Sequence, residues 1–194
     1  MTVMILGLVI FLGVHSVRIV ADGWRTRTIA RLGESPWKGL YSLVSGVGFV
    51  LIVWGFAQAR QSPVLVWAPP IGMRHLAALL TLIAFPMITA AYVPRNAIKA
   101  RLKDPMILGI KVWALAHLLA NGFLHEIILF GAFLLWAILD FRAARHRRLA
   151  AGSAAPAYTS STSGTILTIV IGVVAWVLFA FWLHRWLIGV QPIP

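Results

Sequence analysis

Met106–Phe141 reads MILGIKVWALAHLLANGFLHEIILFGAFLLWAILDF. Apart from Lys111, His117, Asn121, His125, Glu126 and Asp140, every residue in it is apolar or glycine. As one helix it would far outrun a bilayer core of roughly 30 Å, which about 20 helical residues cross. Asn121-Gly122 interrupts it near the middle, and such a pair marks a turn. The stretch therefore predicts two apolar helices running in opposite directions, Met106–Ala120 and Phe123–Phe141.

Four further apolar runs have similar length: Val3–Ala21, Gly39–Ala57, Arg74–Val93 and Thr165–Leu187. Apolar residues make up 60% of the chain and charged ones 11%. Soluble domains sit nearer half and a quarter, so the balance favours a membrane protein. Both faces of each run are apolar, as in helices bathed by lipid or buried in a bundle. The predicted fold is an all-α, polytopic membrane helical bundle with six transmembrane helices.

Charge fixes the expected orientation. The first loop carries Arg25, Arg27, Arg31 and Lys38; the third carries Arg95, Lys99, Arg101 and Lys103; the fifth carries Arg142, Arg145, Arg147 and Arg148. The second loop and its edges hold only Arg60 and Arg74, and the fourth holds no Lys or Arg. Six spans place loops one, three and five on one side, which the positive-inside rule makes cytoplasmic, with both termini out. Without the break at Asn121-Gly122, the arginines of the fifth loop would fall outside.

At 194 residues, the chain has room for one membrane domain and no sizeable soluble one. The expected division is a five-helix unit over residues 1–148, a flexible cytoplasmic linker over 149–164 and a sixth helix within 165–194. The linker reading rests on Ala, Ser, Thr and Gly in Ala150–Ser163. The net charge of +12 lies in short loops beside apolar helices, where it sets topology and meets anionic head groups. No basic soluble domain is present, so nucleic acid is not an expected partner. The absence of cysteine excludes disulfides, thiolate metal sites, a Cys nucleophile and a covalently attached c-type haem. The first apolar run has no positive flank or small-residue cleavage site, and reads as a retained span.

Ionisable groups inside spans usually face a bundle interior and mark a site. His15 lies in the first span, about six residues from its cytoplasmic end, and His117 in the fourth, about eleven from its own. Their backbones should differ in depth by about 6–7 Å. Side chains lean toward the N-terminus of their helix, so rings on opposed helices close that gap. Two such imidazoles are a candidate pair of axial ligands to a haem iron. Equally, each can simply donate a hydrogen bond to a neighbour. Arg18, three residues after His15 on the same face, can meet a haem propionate or snorkel to the interface. His75, His125 and His184 fall near outer span ends, as an outer metal or quinone cluster or as residues contacting head groups. His146 belongs with the loop arginines, and Trp24, Trp37, Trp67 and Trp186 read as interfacial anchors.

Several segments resemble the NnrU family. They are Gly13-Val14-His15-Ser16, Arg31-Leu32-Gly33-Glu34 with Gly39-Leu40-Tyr41, Asp104-Pro105-Met106-Ile107-Leu108-Gly109, and Trp113-Ala114-Leu115-Ala116-His117 running on to Asn121-Gly122. The resemblance covers most of residues 1–148. It implies a part in nitric oxide and nitrite metabolism in denitrifying bacteria, and so a bacterial inner-membrane location. The family is also similar to the plant zeta-carotene isomerase, a membrane protein carrying haem b. The functional histidines of that isomerase match His15 and His117, which implies haem b on this pair. Ala114 stands where the isomerase has a cysteine, so ligand exchange to a thiolate is not expected. Asp104 replaces a histidine common before the proline.

The resemblance thus implies redox or isomerase-like chemistry on a lipid-soluble substrate, with a membrane redox partner, or handling of nitrogen oxides. The rivals are a cofactor-free assembly or electron-supply factor for a nitrite or nitric oxide reductase, and a small transporter. The transporter ranks last, because no broken-helix pair or inverted repeat is visible.

Overall fold

The computed structural model describes residues 1–152 and 158–193. It is helical throughout: α1 (Thr2–Val20), α2 (Asp22–Leu32), α3 (Glu34–Ala59), α4 (Gly72–Thr89), α5 (Ala97–Leu102), α6 (Pro105–Ala120), α7 (Leu124–Ala151), α8 (Thr162–Leu178) and α9 (His184–Ile188). A π-helical turn, Phe179–Leu183, joins α8 to α9. Among the described residues five helical segments are long and apolar enough to cross a membrane: α1, α3, α4, α7 and the continuous run from Thr162 to Ile188. The sixth apolar helix, α6, has 16 residues, about 24 Å of rise, short of a full bilayer core.

Local chemistry sets the boundaries. Pro105 opens α6, where its missing N–H costs nothing. Asn121 then turns extended and ends it. The break at Asn121-Gly122 is held from outside: the amides of Val66 and Trp67 donate to the Gly122 carbonyl, and the Leu124 amide donates to Val64. A Cβ on Gly122 would sit 1.8 Å from the Trp67 carbonyl oxygen, so only glycine admits that strand-like pairing. Asn96, fully buried, caps α5 through the Lys99 amide and donates to the carbonyls of Ala90 and Val93. Ser161 caps α8. The expected linker is shorter at both ends, since α7 runs to Ala151 and α8 starts at Thr162; residues 153–157 lie outside the described residues.

The apolar helices contact one another in the order α3, α1, α7, α6, α4, α8. Met4, Leu8 and Ile52 form the buried core, with Phe11, Phe56, Ile128 and Phe133 packed against it. Close helix approach depends on small residues, as in membrane bundles where burial from water supplies no drive. An added Cβ on Gly55 would lie 2.1 Å from the Met4 nitrogen, and one on Gly172 of α8 2.5 Å from Pro86 of α4. The last helix is therefore docked against the rest of the bundle.

Loop contacts sort the helix ends onto two faces. Residues 64–67 pair with 122–124, and Arg60 donates to the Ile188 carbonyl, placing loops two and four with the C-terminal end. On the other face Arg147 donates to the Arg18 carbonyl at 3.1 Å, Arg148 pairs with Asp104, and the Ser161 amide donates to Arg95. The basic loops one, three and five thus share one face. Between the faces, α3 exposes Leu43, Val47, Val50 and Val53, and α8 exposes Ile166, Val170 and Val174. The chain exposes 11876 Å², against roughly 9,100 Å² for a soluble monomer of its mass. The apolar side chains exposed on α3 and α8 suit a lipid surround.

Two alanine substitutions on α3 test this packing. Gly55→Ala drives a methyl into the α1 backbone, whereas Gly46 has nothing within 4 Å of its added Cβ. Thermal unfolding in detergent is expected to show a loss of about 1–3 kcal/mol for Gly55→Ala and almost none for Gly46→Ala. Equal shifts would contradict the α1–α3 register.

Candidate functional site

His15 of α1 and His117 of α6 both pack against α7, each held in the same way. The His15 Nδ1 lies 2.6 Å from the Phe11 carbonyl oxygen, and the His117 Nδ1 lies 2.8 Å from that of Trp113. A carbonyl only accepts, so Nδ1 must carry the proton in both rings. Neutral imidazole then presents an unprotonated Nε2. This is the state in which histidine ligates a metal, with its second nitrogen fixed by a backbone carbonyl. The fixing carbonyl comes from the residue one turn earlier on the same helix, so each helix orients its own ligand.

Aromatic rings complete both surroundings. Phe11 stacks on His15 at 4.2 Å, with Tyr41 of α3 at 5.2 Å and Trp136 of α7 edge-on at 6.0 Å. Phe130 of α7 stacks on His117 at 4.4 Å, with Trp113 at 5.0 Å. Phe133 joins the two groups, 5.9 Å from Phe11 and 5.7 Å from Trp113. The histidines are thus ends of one ring sequence, His15–Phe11–Phe133–Trp113–His117. Their contacts on α7, Trp136 and Phe130, are one and two-thirds turns apart, about 9 Å along the axis.

Arg18 lies a turn beyond His15 at the basic face, its side chain 59% exposed and 3.9 Å from Asp22. Asp140 sits nearby, 3.8 Å from Arg147 and within electrostatic reach of Arg18 and His15. The other histidines do not join the pair. His75 and His146 are exposed, and the His184 Nδ1 meets the Val190 carbonyl at 2.7 Å. His125 is 2% exposed, between Phe56 and Phe123, with Nδ1 unpartnered. Among the described residues no group of three or more His, Asp or Glu is placed to hold a metal ion.

Sequence reasoning missed Tyr41, Phe130, Phe133 and Trp136. One signal was available: Trp113 and Trp136 lie inside spans, away from the interfaces where tryptophan usually anchors.

A helical bundle with this exposed apolar girdle and a half-buried histidine on each of α1 and α6 defines a membrane-embedded helical protein. The NnrU protein family matches residues 3–192, nearly the whole chain and including the last helix. The chain belongs to that family. No curated protein and no solved structure matches it.

The ring sequence makes a stability prediction on α7. Phe133→Ala removes the link between Phe11 and Trp113, whereas Leu135 is 59% exposed. Unfolding in detergent is expected to show a loss of about 3 kcal/mol or more for Phe133→Ala and well under half of that for Leu135→Ala. The reverse order would place Phe133 at the lipid surface.

Proposed function

We propose that this NnrU family protein is a six-pass protein of the bacterial inner membrane that holds one haem b between His15 and His117. Its role is redox or isomerase-like chemistry on a lipid-soluble substrate, or a part in nitric oxide and nitrite metabolism. The observation that carries the haem reading is the matched state of the two imidazoles: both Nδ1–H groups are committed to backbone carbonyls, leaving two bare Nε2 donors on helices flanking α7. The donor chemistry fits haem iron. Phe11, Phe130 and Phe133 supply the flat apolar surfaces that a macrocycle packs against, and Arg18 supplies charge at the basic face. Bound haem supplies a one-electron iron centre. The protein residues hold the ring nitrogens in the ligating tautomer, exclude water and set depth. His15 and His117 would hold the iron, and the Phe133 ring that lies between their ring clusters would have to give way.

The Phe11–Phe133–Trp113 packing favours a second reading, a cofactor-free helper that assists assembly or electron supply of a nitrite or nitric oxide reductase. A reduced-minus-oxidised spectrum of protein expressed under haem-replete conditions separates the two. The haem reading predicts a Soret band, and a loss of more than about tenfold in haem affinity for His15→Ala and for His117→Ala. The helper reading predicts no band, and a reductase recovered by cross-linking that both variants still bind.

Six passes with the basic loops cytoplasmic also make an accessibility prediction, simplified by a chain without cysteine. In intact spheroplasts, an impermeant maleimide should label Ser62→Cys in loop two and leave Thr26→Cys in α2 unlabelled until the membrane is opened. Labelling of both, or of Thr26→Cys alone, would reject the orientation.

A further inference from the structure

One stripe of α7 changes character along its length. Leu135 and Leu139 are exposed, and Gly131, a turn earlier, has nothing within 4 Å of an added Cβ. Arg142, His146 and Leu149 are exposed as well and continue the same spacing of three and four residues. All five side chains therefore share one face of the helix, with Arg145 at its edge. The stripe is apolar over its first turns and basic over the next two. Where it turns basic, Arg142, Arg145, His146 and Leu149 line an open recess of about 500 Å³. Lys111 of α6 holds its ammonium 3.8 Å from the centre of the Phe141 ring, within electrostatic reach of Arg142.

These cations have no carboxylate left to meet. The chain has five acidic residues, and four of them are already paired: Asp22 with Arg18 and Arg25, Glu34 with Lys38, Asp104 with Arg148, and Asp140 with Arg147. The fifth, Glu126, accepts from the Phe123 amide at the opposite end of α7. Among the described residues Lys111, Arg142 and Arg145 form no ion pair, and residues 153–157 include no acidic side chain. An arginine that only sets topology snorkels alone into water. Here cations from two helices gather beside one recess, and exposed leucines run from it toward the middle of the apolar stretch.

We propose that this stripe binds one anionic phospholipid, with its phosphate on Arg142 and Arg145 and an acyl chain along Leu139 and Leu135. Guanidinium groups donate charge-assisted hydrogen bonds to phosphate in a fork that suits its oxygens. Arg142 is the first cation after the apolar stretch of α7, so the phosphate sits where hydrocarbon gives way to head groups. A soluble phosphate would use the basic half of the stripe and leave the leucines uncovered; a lipid uses both. The site is independent of haem.

The test is native mass spectrometry of the full chain in detergent, titrated with phosphatidylglycerol or with phosphatidylcholine of the same acyl chains. The unaltered protein is expected to bind the first phosphatidylglycerol at least about tenfold more tightly than phosphatidylcholine. The double substitution Arg142→Gln with Arg145→Gln should bring that preference to within about twofold. Arg27→Gln with Arg31→Gln removes the same charge from exposed positions of α2 and should leave the preference intact. All four positions are exposed, and unfolding curves confirm that both variants are folded. Equal losses in the two double variants, or no preference in the unaltered protein, would overturn the proposal. Displacement of the lipid by an equimolar amount of glycerol phosphate would do so too, by making the ligand a soluble anion.

Discussion

Inside a bilayer no water is at hand, so each polar group must find its partner within the protein. The rest of this structure follows from that constraint. It makes helices of the apolar runs, and it turns the hydroxyls of Ser16, Thr81, Thr165 and Thr168 back onto their own backbone. It also commits one nitrogen of His15 and of His117 to a carbonyl of the preceding turn. Among the described residues a few buried polar atoms have no hydrogen-bond partner, among them Ser45 Oγ, His125 Nδ1 and Trp136 Nε1.

Helix α7 contacts both α1 and α6, and its Phe130, Phe133 and Trp136 lie against the ring clusters of His15 and His117. Small residues bring the outer helices close enough for this to work: Gly55 and Gly48 seat α1 on α3, and Gly109 and Gly172 seat α6 and α8 on α4. The family match extends through the last helix, whose Gly172–Pro86 contact ties it to the same assembly.

Much of the architecture was legible in the sequence, because apolar length and loop charge are direct consequences of lipid. The break at Asn121-Gly122 falls where the turn chemistry put it. Helix ends were less legible. Helix α3 starts at Glu34, ahead of the apolar run, where Glu34 and Lys38 pair at 2.8 Å on the exposed surface. Helix α7 continues through the arginines to Ala151. Apolarity reports the part immersed in lipid, and a helix continues beyond it wherever its residues favour one. The short α6 shows the converse, an apolar helix below full spanning length. At the site, the histidines stood out because ionisable groups are rare among apolar neighbours. Phe130 and Phe133 did not, since an aromatic on such a helix looks the same whether it faces lipid or a partner. Only the packing distinguishes them.

The central claim is that the imidazoles of His15 and His117 bind one iron from opposite sides. The most direct measurement is the electron paramagnetic resonance spectrum of the oxidised, haem-loaded protein. Two imidazole ligands give a low-spin ferric signal, which either His→Ala substitution should convert to high spin. A high-spin signal from the unaltered protein, or a low-spin signal that survives both substitutions, would contradict the account.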